Sequence, residues 1–218
     1  LILVDTGPAG NIGEHTGKLP AALSSFGIKA GDIDAVILTH THFDHISGAI
    51  KGGQAVFANA EVYVDRRDIN QFTDPALRSR APDFLHSSFD ATAELVRLYP
   101  RLQQIQGAQE ILPGLSSVDL TGHTPGHIGV RIEDAGRSML IVSDMLFHPL
   151  VHPERADVGF VFEQDPAAAE DMRARFFPMA ADEGGLIAAT HMPFPGLGRI
   201  GRDGKSLRWV PENWAYAG

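Results

Sequence analysis

Four short strand-like stretches in this chain are each followed, within a few residues, by a histidine or an aspartate. Three of them are the apolar runs Ala35–Leu38, Met139–Val142 and Leu186–Ala189, and the fourth, Leu115–Leu120, mixes apolar with polar residues. Their length and β-branched content predict buried strands, and amphipathic stretches alternate with the apolar runs, as in α/β proteins. Side chains that follow the ends of neighbouring strands can meet at one edge of a sheet. The sequence therefore predicts an α/β fold that gathers polar side chains at strand ends.

Further elements complete this α/β pattern. Additional strands are predicted at Leu1–Val4, Val62–Val64 and His127–Ile132, and helices at Leu19–Phe26, Arg66–Phe72, Phe89–Tyr99 and Pro166–Ala181. Asp165 is expected to cap the last helix and Pro166 to take its first position, whereas Pro178 is expected to kink or end it. Since no repeat or linker divides the chain, one domain over residues 1–218 is predicted.

The composition narrows the function classes. The net charge of −9 argues against a nucleic-acid partner, which requires a basic surface. No apolar run approaches the roughly 20 residues of a membrane span. The absence of cysteine excludes a disulfide scaffold, a cysteine zinc finger and a cysteine nucleophile. The chain opens inside a strand-like run without Met, so we expect a missing N-terminal piece, and the compartment (bacterial cytoplasm or periplasm) stays open.

The densest group of polar side chains is THTHFDH, residues 39–45. Two histidines alone could be solvated loop residues. Here four residues that can bind a metal ion lie within six positions: His40, His42, Asp44 and His45. Three more such residues follow the other strand-like stretches: His123, Asp144 and His191. Imidazole nitrogen and carboxylate oxygen are zinc ligands, and seven of them suit two metal ions that share one carboxylate and one water.

This order of residues resembles the motifs of the metallo-β-lactamase superfamily, which read Asp, His-x-His-x-Asp-His, His, Asp, His. The matching positions are Asp5, residues 40–45, His123, Asp144 and His191. The resemblance covers nearly the whole chain. It implies a four-layer αββα sandwich, in which the strands that normally precede the Asp5 motif are missing from this chain.

The resemblance also implies a role for each side chain. The expected ligands of the first metal are His40, His42 and His123. The expected ligands of the second metal are Asp44, His45 and His191. Asp144 is expected to bridge the two ions, Asp5 to orient the ligand loop, and His127 to order its own loop. The implied cofactor is a pair of divalent ions, most simply zinc, with manganese, iron or cobalt as options.

Spacing distinguishes the branches of this superfamily. Only 47 positions separate Asp144 from His191, which argues against the insertion of the nucleic-acid-processing branch. The 27 residues after His191 are too few for the C-terminal domain of glyoxalase II. Stretches 3–7, 186–191, 194–198 and 205–211 are similar to methyl parathion hydrolases and their lactonase and arylesterase relatives. Acyl-homoserine lactonases of this fold have a tyrosine where this chain has Phe147. This chain therefore lacks the tyrosine hydroxyl at that position.

The implied reaction is hydrolysis of a small apolar ester, lactone or phosphotriester. A hydroxide that bridges the two metals would attack the carbonyl carbon or the phosphorus. Asp44, which can orient this hydroxide, and Asp144, which holds the metals, are the expected catalytic residues. Two alternatives remain open: a mononuclear-iron oxidoreductase of the persulfide-dioxygenase type, and a β-lactamase.

Aromatic residues between the ligand motifs are candidates for a substrate pocket. The candidates are Phe72, Phe84, Phe147 and His148. Each phenylalanine could equally be ordinary core. His148 and its neighbour His152 could contact substrate or, more simply, order their loop. Trp209 and Trp214 are expected at a sheet edge or in a homodimer contact.

Overall fold

The structure, a computed structural model, describes residues 1–213. The chain divides into two units, Leu1–Gln106 (unit 1) and Gly107–Gly218 (unit 2). This division leaves the single-domain organisation of residues 1–218 a prediction. Among residues 1–213, no helix has the length and the apolar character needed to cross a membrane.

Unit 1 is built on a four-stranded parallel sheet with strand order β1-β2-β5-β6. Its strands, together with those of a small hairpin (β3–β4), are β1 Ile2–Val4, β2 Ala35–Ile37, β3 Ile50–Lys51, β4 Gln54–Ala55, β5 Glu61–Asp65 and β6 Gln103–Ile105. Its helices are α1 Leu19–Ser25, α2 Phe43–Ile46, α3 Arg66–Phe72, α4 Pro75–Arg78 and α5 His86–Leu98. Strand β2 is wholly buried because it lies between β1 and β5, and Val36 and Val62 face each other in register within the core.

Unit 2 is built on a seven-stranded sheet with strand order β13-β12-β11-β10-β9-β8-β7. Its strands are β7 Gln109–Leu112, β8 Leu115–Asp119, β9 Ile128–Asp134, β10 Arg137–Ile141, β11 Leu186–Ala188, β12 Leu197–Asp203 and β13 Ser206–Pro211. The pair β10 and β11 is parallel, and helix α6, Pro166–Glu183, lies in the connection between them. The other pairs are antiparallel. The core of the unit includes Leu140, Phe177 and Ile187.

Helix α6 tests the predicted start and end signals. The Asp165 carboxylate accepts the N–H of Ala168 at 3.0 Å, and Pro166 takes the first position, which confirms the predicted start. The helix runs through Pro178 to Glu183, so this proline does not end it, and the kink that was the other predicted effect stays a prediction. Phe177 and Ala180, on either side of the proline, are buried in the unit 2 core, and this packing holds the helix across the lost hydrogen bond.

The predicted strands and long helices are present with bounds that differ by a few residues. The hairpin of β12 and β13 went unpredicted, because its residues mix glycines and charges with the apolar positions. Trp209 on β13 packs against the unit 2 core. Trp214 lies outside the described residues, and the predicted homodimer stays a prediction.

Candidate functional site

The loop that follows β2 gathers four ligand-type side chains in unit 1. His40 and His42 lie in the loop, and Asp44 and His45 lie in α2. The three histidines are buried, and the Asp44 carboxylate is 20% exposed. The His40 ring centroid lies 4.8 Å from that of His42 and 4.0 Å from that of His45. Asp44 Oδ2 lies 3.5 Å from His45 Nε2, so the motif forms one cluster.

Asp5 organises this loop from the end of β1. Its backbone adopts a left-handed φ of 55°, which aspartate tolerates better than most residues. Its carboxylate accepts the N–H and the hydroxyl of Thr39, each at 2.8 Å. Asp5 Oδ2 also lies 2.8 Å from His45 Nδ1. Since a carboxylate only accepts, this Nδ1 carries the hydrogen, and the lone pair of the ring is on Nε2.

The influence of Asp5 extends to a second histidine through Thr39. The Thr39 hydroxyl donates its hydrogen to Asp5, and its oxygen lies 3.1 Å from His40 Nδ1. The oxygen therefore accepts from His40 Nδ1–H, which places the lone pair of that ring on Nε2 as well. One carboxylate thus sets the tautomer of two candidate ligands.

Three further polar side chains fix the loop, and sequence reasoning missed them. Asp68 Oδ2 accepts the N–H of Thr41 at 2.9 Å, and Ser88 Oγ accepts the N–H of Phe43 at 3.1 Å. The Thr92 hydroxyl lies 3.3 Å from the Thr41 carbonyl oxygen. All three are buried on helices far along the chain, and no local sequence signal distinguishes them from ordinary helix residues.

In unit 2, three candidate ligands from three separate loops converge. His123 follows β8, Asp144 lies in a short 3-10 turn after β10, and His191 follows β11. His123 Nε2 and His191 Nε2 each lie 3.3 Å from Asp144 Oδ2. Ser143 takes a left-handed φ of 47°, and its hydroxyl lies 3.2 Å from Asp144 Oδ1. The predicted bridging carboxylate is therefore central to the unit 2 cluster.

Backbone contacts hold the His123 loop in unit 2. The His123 carbonyl accepts the N–H of Gln164 at 2.9 Å, just before α6. A Cβ on Gly122 would lie 2.4 Å from the backbone nitrogen of Ala169, so only glycine permits this approach. His127 Nδ1 lies 3.1 Å from the Leu120 carbonyl oxygen, which agrees with a loop-ordering role.

The donor chemistry of both clusters suits divalent metal ions. Each cluster combines imidazole nitrogen with carboxylate oxygen, the set that zinc, manganese, iron and cobalt accept. His40, His42, His45, His123 and Asp144 are all nearly inaccessible to solvent. Burying imidazole nitrogens and a carboxylate together is favourable only when their lone pairs have partners, and a divalent cation is one such partner.

The pocket candidates lie in different surroundings. Phe72 is buried, with its ring edge-on to that of His42 and the centroids 5.5 Å apart. Phe147 is half-buried and stacks on His191 at 5.1 Å with an interplanar angle of 10°. Phe84 is 42% exposed, and His148 is exposed, with its Nδ1 accepting the N–H of Leu150 at 3.2 Å. Their roles toward a substrate stay predictions.

The sequence profile of the metallo-beta-lactamase superfamily matches residues 1–191 of this chain. The chain belongs to the metallo-beta-lactamase superfamily. It is 28% identical over 189 residues to a probable metallo-hydrolase of Mycobacterium bovis, covering 76% of this chain and 59% of that protein. It is 23% identical over 128 residues to an N-acyl homoserine lactonase of Bacillus cereus, covering 58% and 43%. The chain thus spans about half the length of the curated relatives it matches.

Two solved structures are similar to this chain, and each likeness covers 99% of this chain and 76% of the other chain. One is the hydrolase AbOPH of the beta-lactamase superfamily, with a TM-score of 0.90 and 30% identity. The other is AidC, a dizinc quorum-quenching lactonase in complex with a product, with a TM-score of 0.86 and 27% identity. These likenesses confirm the predicted metallo-β-lactamase fold class.

Proposed function

We propose that this chain is the catalytic part of a dinuclear metal-dependent hydrolase that acts on lactones or esters of small apolar molecules. The observation that carries the proposal is Asp144 Oδ2, which lies 3.3 Å from an imidazole nitrogen of both His123 and His191. A carboxylate between two ligand-type histidines is the arrangement expected of a residue that joins two metal ions. Similarity to a dizinc lactonase supports the same function.

The proposed ligand sets follow the superfamily order. The first ion would take His40, His42 and His123. The second ion would take Asp44, His45 and His191. Asp144 would contact both ions. In His40 and His45 the lone pair lies on Nε2, so this is the atom of each ring that would bind its ion.

The two ions, when bound, would make a hydroxide available at neutral pH and would polarise the oxygen of the scissile carbonyl. Asp44 would accept a proton from the attacking water at a carboxylate oxygen and return it to the leaving oxygen as the ester C–O bond breaks, so that an acid and an alcohol form. Asp144 and the buried histidines keep the ligand atoms fixed, so that little reorganisation is needed during the reaction. No side chain has to act as the nucleophile.

The proposed substrate is small and apolar. The Phe147 ring stacks on His191 and offers an apolar surface beside a candidate ligand. A lactone is supported by the N-acyl homoserine lactonases among the relatives. Four points stay predictions: a phosphotriester as substrate, the likeness to methyl parathion hydrolases, the absence of nucleic-acid partners, and a homodimer.

The test is a hydrolysis panel on the protein reconstituted with zinc, manganese, iron or cobalt. The panel contains aryl esters, γ- and δ-lactones with an N-acyl homoserine lactone, a paraoxon-type triester, and nitrocefin. Metal content is measured on the same samples. We expect two ions per chain and turnover of esters or lactones that His42→Ala abolishes, whereas His15→Ala, at an exposed histidine, retains wild-type turnover.

The alternatives give different outcomes. One iron per chain together with oxygen consumption would support the oxidoreductase. Nitrocefin as the best substrate would support the β-lactamase. If no member of the panel is turned over in a metal-dependent way, or if His42→Ala keeps full activity, the proposed function is wrong.

A further inference from the structure

The segment between Asp144 and helix α6 is long and irregular, yet it is buried in its middle. Residues 146–165, all of them described, form no helix or strand. His152 within this segment has no exposed surface. Irregular segments of this length in compact proteins are uncommon and are typically functional. The contacts of His152 therefore indicate what the segment does.

His152 holds the backbone at the start of the segment. Its Nδ1 lies 3.0 Å from the backbone nitrogen of Phe147 and 3.3 Å from that of His148. Both backbone groups can only donate, so Nδ1 is the acceptor and carries no hydrogen. Burial, reinforced by the charge of Arg173, lowers the pKa of this imidazole to about 4, which keeps it an acceptor at neutral pH.

Phe147, whose backbone N–H bonds to His152, faces the candidate ligands of unit 2. The Phe147 ring lies 5.1 Å from His191 and 5.5 Å from His123, centroid to centroid. Phe160 packs on Phe147 at 3.9 Å and on His152 at 5.2 Å. The rings of His152, Phe160 and Phe147 thus form a continuous wall that ends at the unit 2 ligands.

A buried ion pair anchors the far end of the segment to α6. Glu163 and Arg173 pair directly, and both side chains are almost fully buried. Arg173 Nε also donates to the Ala156 carbonyl oxygen at 2.9 Å. A Cβ on Gly159 would lie 2.7 Å from Glu163 Oε2, so the segment passes close to the pair. The wall is therefore supported at both ends.

We propose that His152 is a positioning residue that determines substrate specificity, because its bonds to the backbone of Phe147 and His148 hold the Phe147 ring as the apolar wall for the substrate's acyl group. The inference rests on the proposed hydrolase function. The inference predicts an effect on one class of substrate. If the Phe147 ring is held less firmly, a long apolar acyl group binds more weakly, and the reaction of a short acyl group is unchanged.

The test compares phenyl hexanoate with phenyl acetate on the zinc-reconstituted protein. His152→Ala removes the acceptor, and we expect KM for phenyl hexanoate to rise about 10-fold, the lower end of the selectivity of an apolar pocket. We expect kcat on both esters, and the zinc content, to stay within about twofold of wild type. His152→Asn, whose Oδ1 can take the place of Nδ1, restores most of the preference for hexanoate.

Two further variants make the test specific. Phe160→Ala removes the ring behind Phe147 and keeps His152, so it also lowers the preference for hexanoate. His86→Ala changes a partly buried histidine of unit 1, whose Nε2 lies 3.1 Å from the Ala81 carbonyl oxygen, and keeps the wild-type preference.

The outcomes separate this inference from the proposed function. If wild type hydrolyses neither ester nor any lactone, the hydrolase function and the inference are both wrong. If wild type is active but His152→Ala keeps the preference, or lowers kcat equally on both esters with loss of zinc, only the inference is overturned. The same holds if His152→Asn behaves like His152→Ala.

Discussion

The two units collect their candidate ligands in opposite ways. Unit 1 takes all four from one short segment, residues 40–45, and one carboxylate, Asp5, orients His45 directly and His40 through Thr39. Unit 2 takes one each from three loops, and Asp144 lies between the two histidines. Within unit 1 the spacing of the motif already restricts the geometry. Within unit 2 only the packing of strands and loops brings the side chains together.

Both units depend on residues outside the candidate ligands. The unit 1 loop is bonded directly by Asp5, Asp68 and Ser88, and the segment after Asp144 in unit 2 is anchored by the Glu163–Arg173 pair. We therefore expect substitutions at these supporting residues to disturb the unit that contains them.

The largest expected effect is on the stability of unit 2. Arg173→Met leaves the Glu163 carboxylate buried without its partner and should cost about 3–5 kcal/mol in the free energy of unfolding. Combining Arg173→Met with Glu163→Leu should recover much of this loss, because neither charge then remains buried. Urea unfolding of both variants measures the difference. A single variant as stable as wild type would show that the pair does not anchor the loops.

Asp144→Asn tests the central carboxylate of unit 2. We expect kcat/KM to fall about 10²–10³-fold, comparable to the loss of one strong transition-state contact, together with the loss of bound metal. Asp157→Asn is the matched control, since that carboxylate lies in an exposed pair with Arg155. The values of kcat/KM and the metal content of both variants are measured and compared with wild type. Unchanged rate and metal content in Asp144→Asn would refute the bridging role.

Asp5 is the corresponding test of unit 1. Asp5→Asn keeps a residue that tolerates the left-handed backbone but loses the acceptor for His45 Nδ1–H, so kcat/KM should fall about 10–100-fold. Asp5→Ala loses the same bond and adds backbone strain of about 1–2 kcal/mol, so its melting temperature should be lower than that of Asp5→Asn. Equal activity of wild type and Asp5→Asn would contradict the orienting role.

We also expect a pH dependence of stability that comes from His152 in unit 2 and is smaller than the loss predicted for Arg173→Met. Burial first, and then the charge of Arg173, lower the pKa of its imidazole from 6.5 to about 4. The unfolded chain therefore binds this proton at higher pH than the folded chain, and stability falls as the pH drops from 6.5 toward 4. Between about pH 7 and pH 5 this loss amounts to about 2 kcal/mol.

His152→Asn provides the comparison, because asparagine does not titrate. Urea unfolding at the two pH values should show a smaller loss in the variant than in wild type. Equal losses would mean that His152 is not the group responsible.

The strands that carry the candidate ligands could be predicted because each is a short strand-like stretch that is followed by a polar residue. Helix α6 could be predicted from Asp165 and Pro166 at its start. Its continuation past Pro178 could not, because the buried neighbours that hold it belong to the tertiary core. The supporting side chains Asp68, Ser88 and Thr92 were missed for the same reason, since their partners lie 27 to 51 positions away.

The types of the candidate ligand residues, their order and their places after strands follow from the amino-acid sequence, since these depend on residue chemistry and on local apolar patterns. Only the folded structure sets the tautomers of His40 and His45, the meeting of His123 and His191 at Asp144, and the contacts of His152. Those features depend on contacts between residues distant in the chain, whose distances and angles no local pattern encodes.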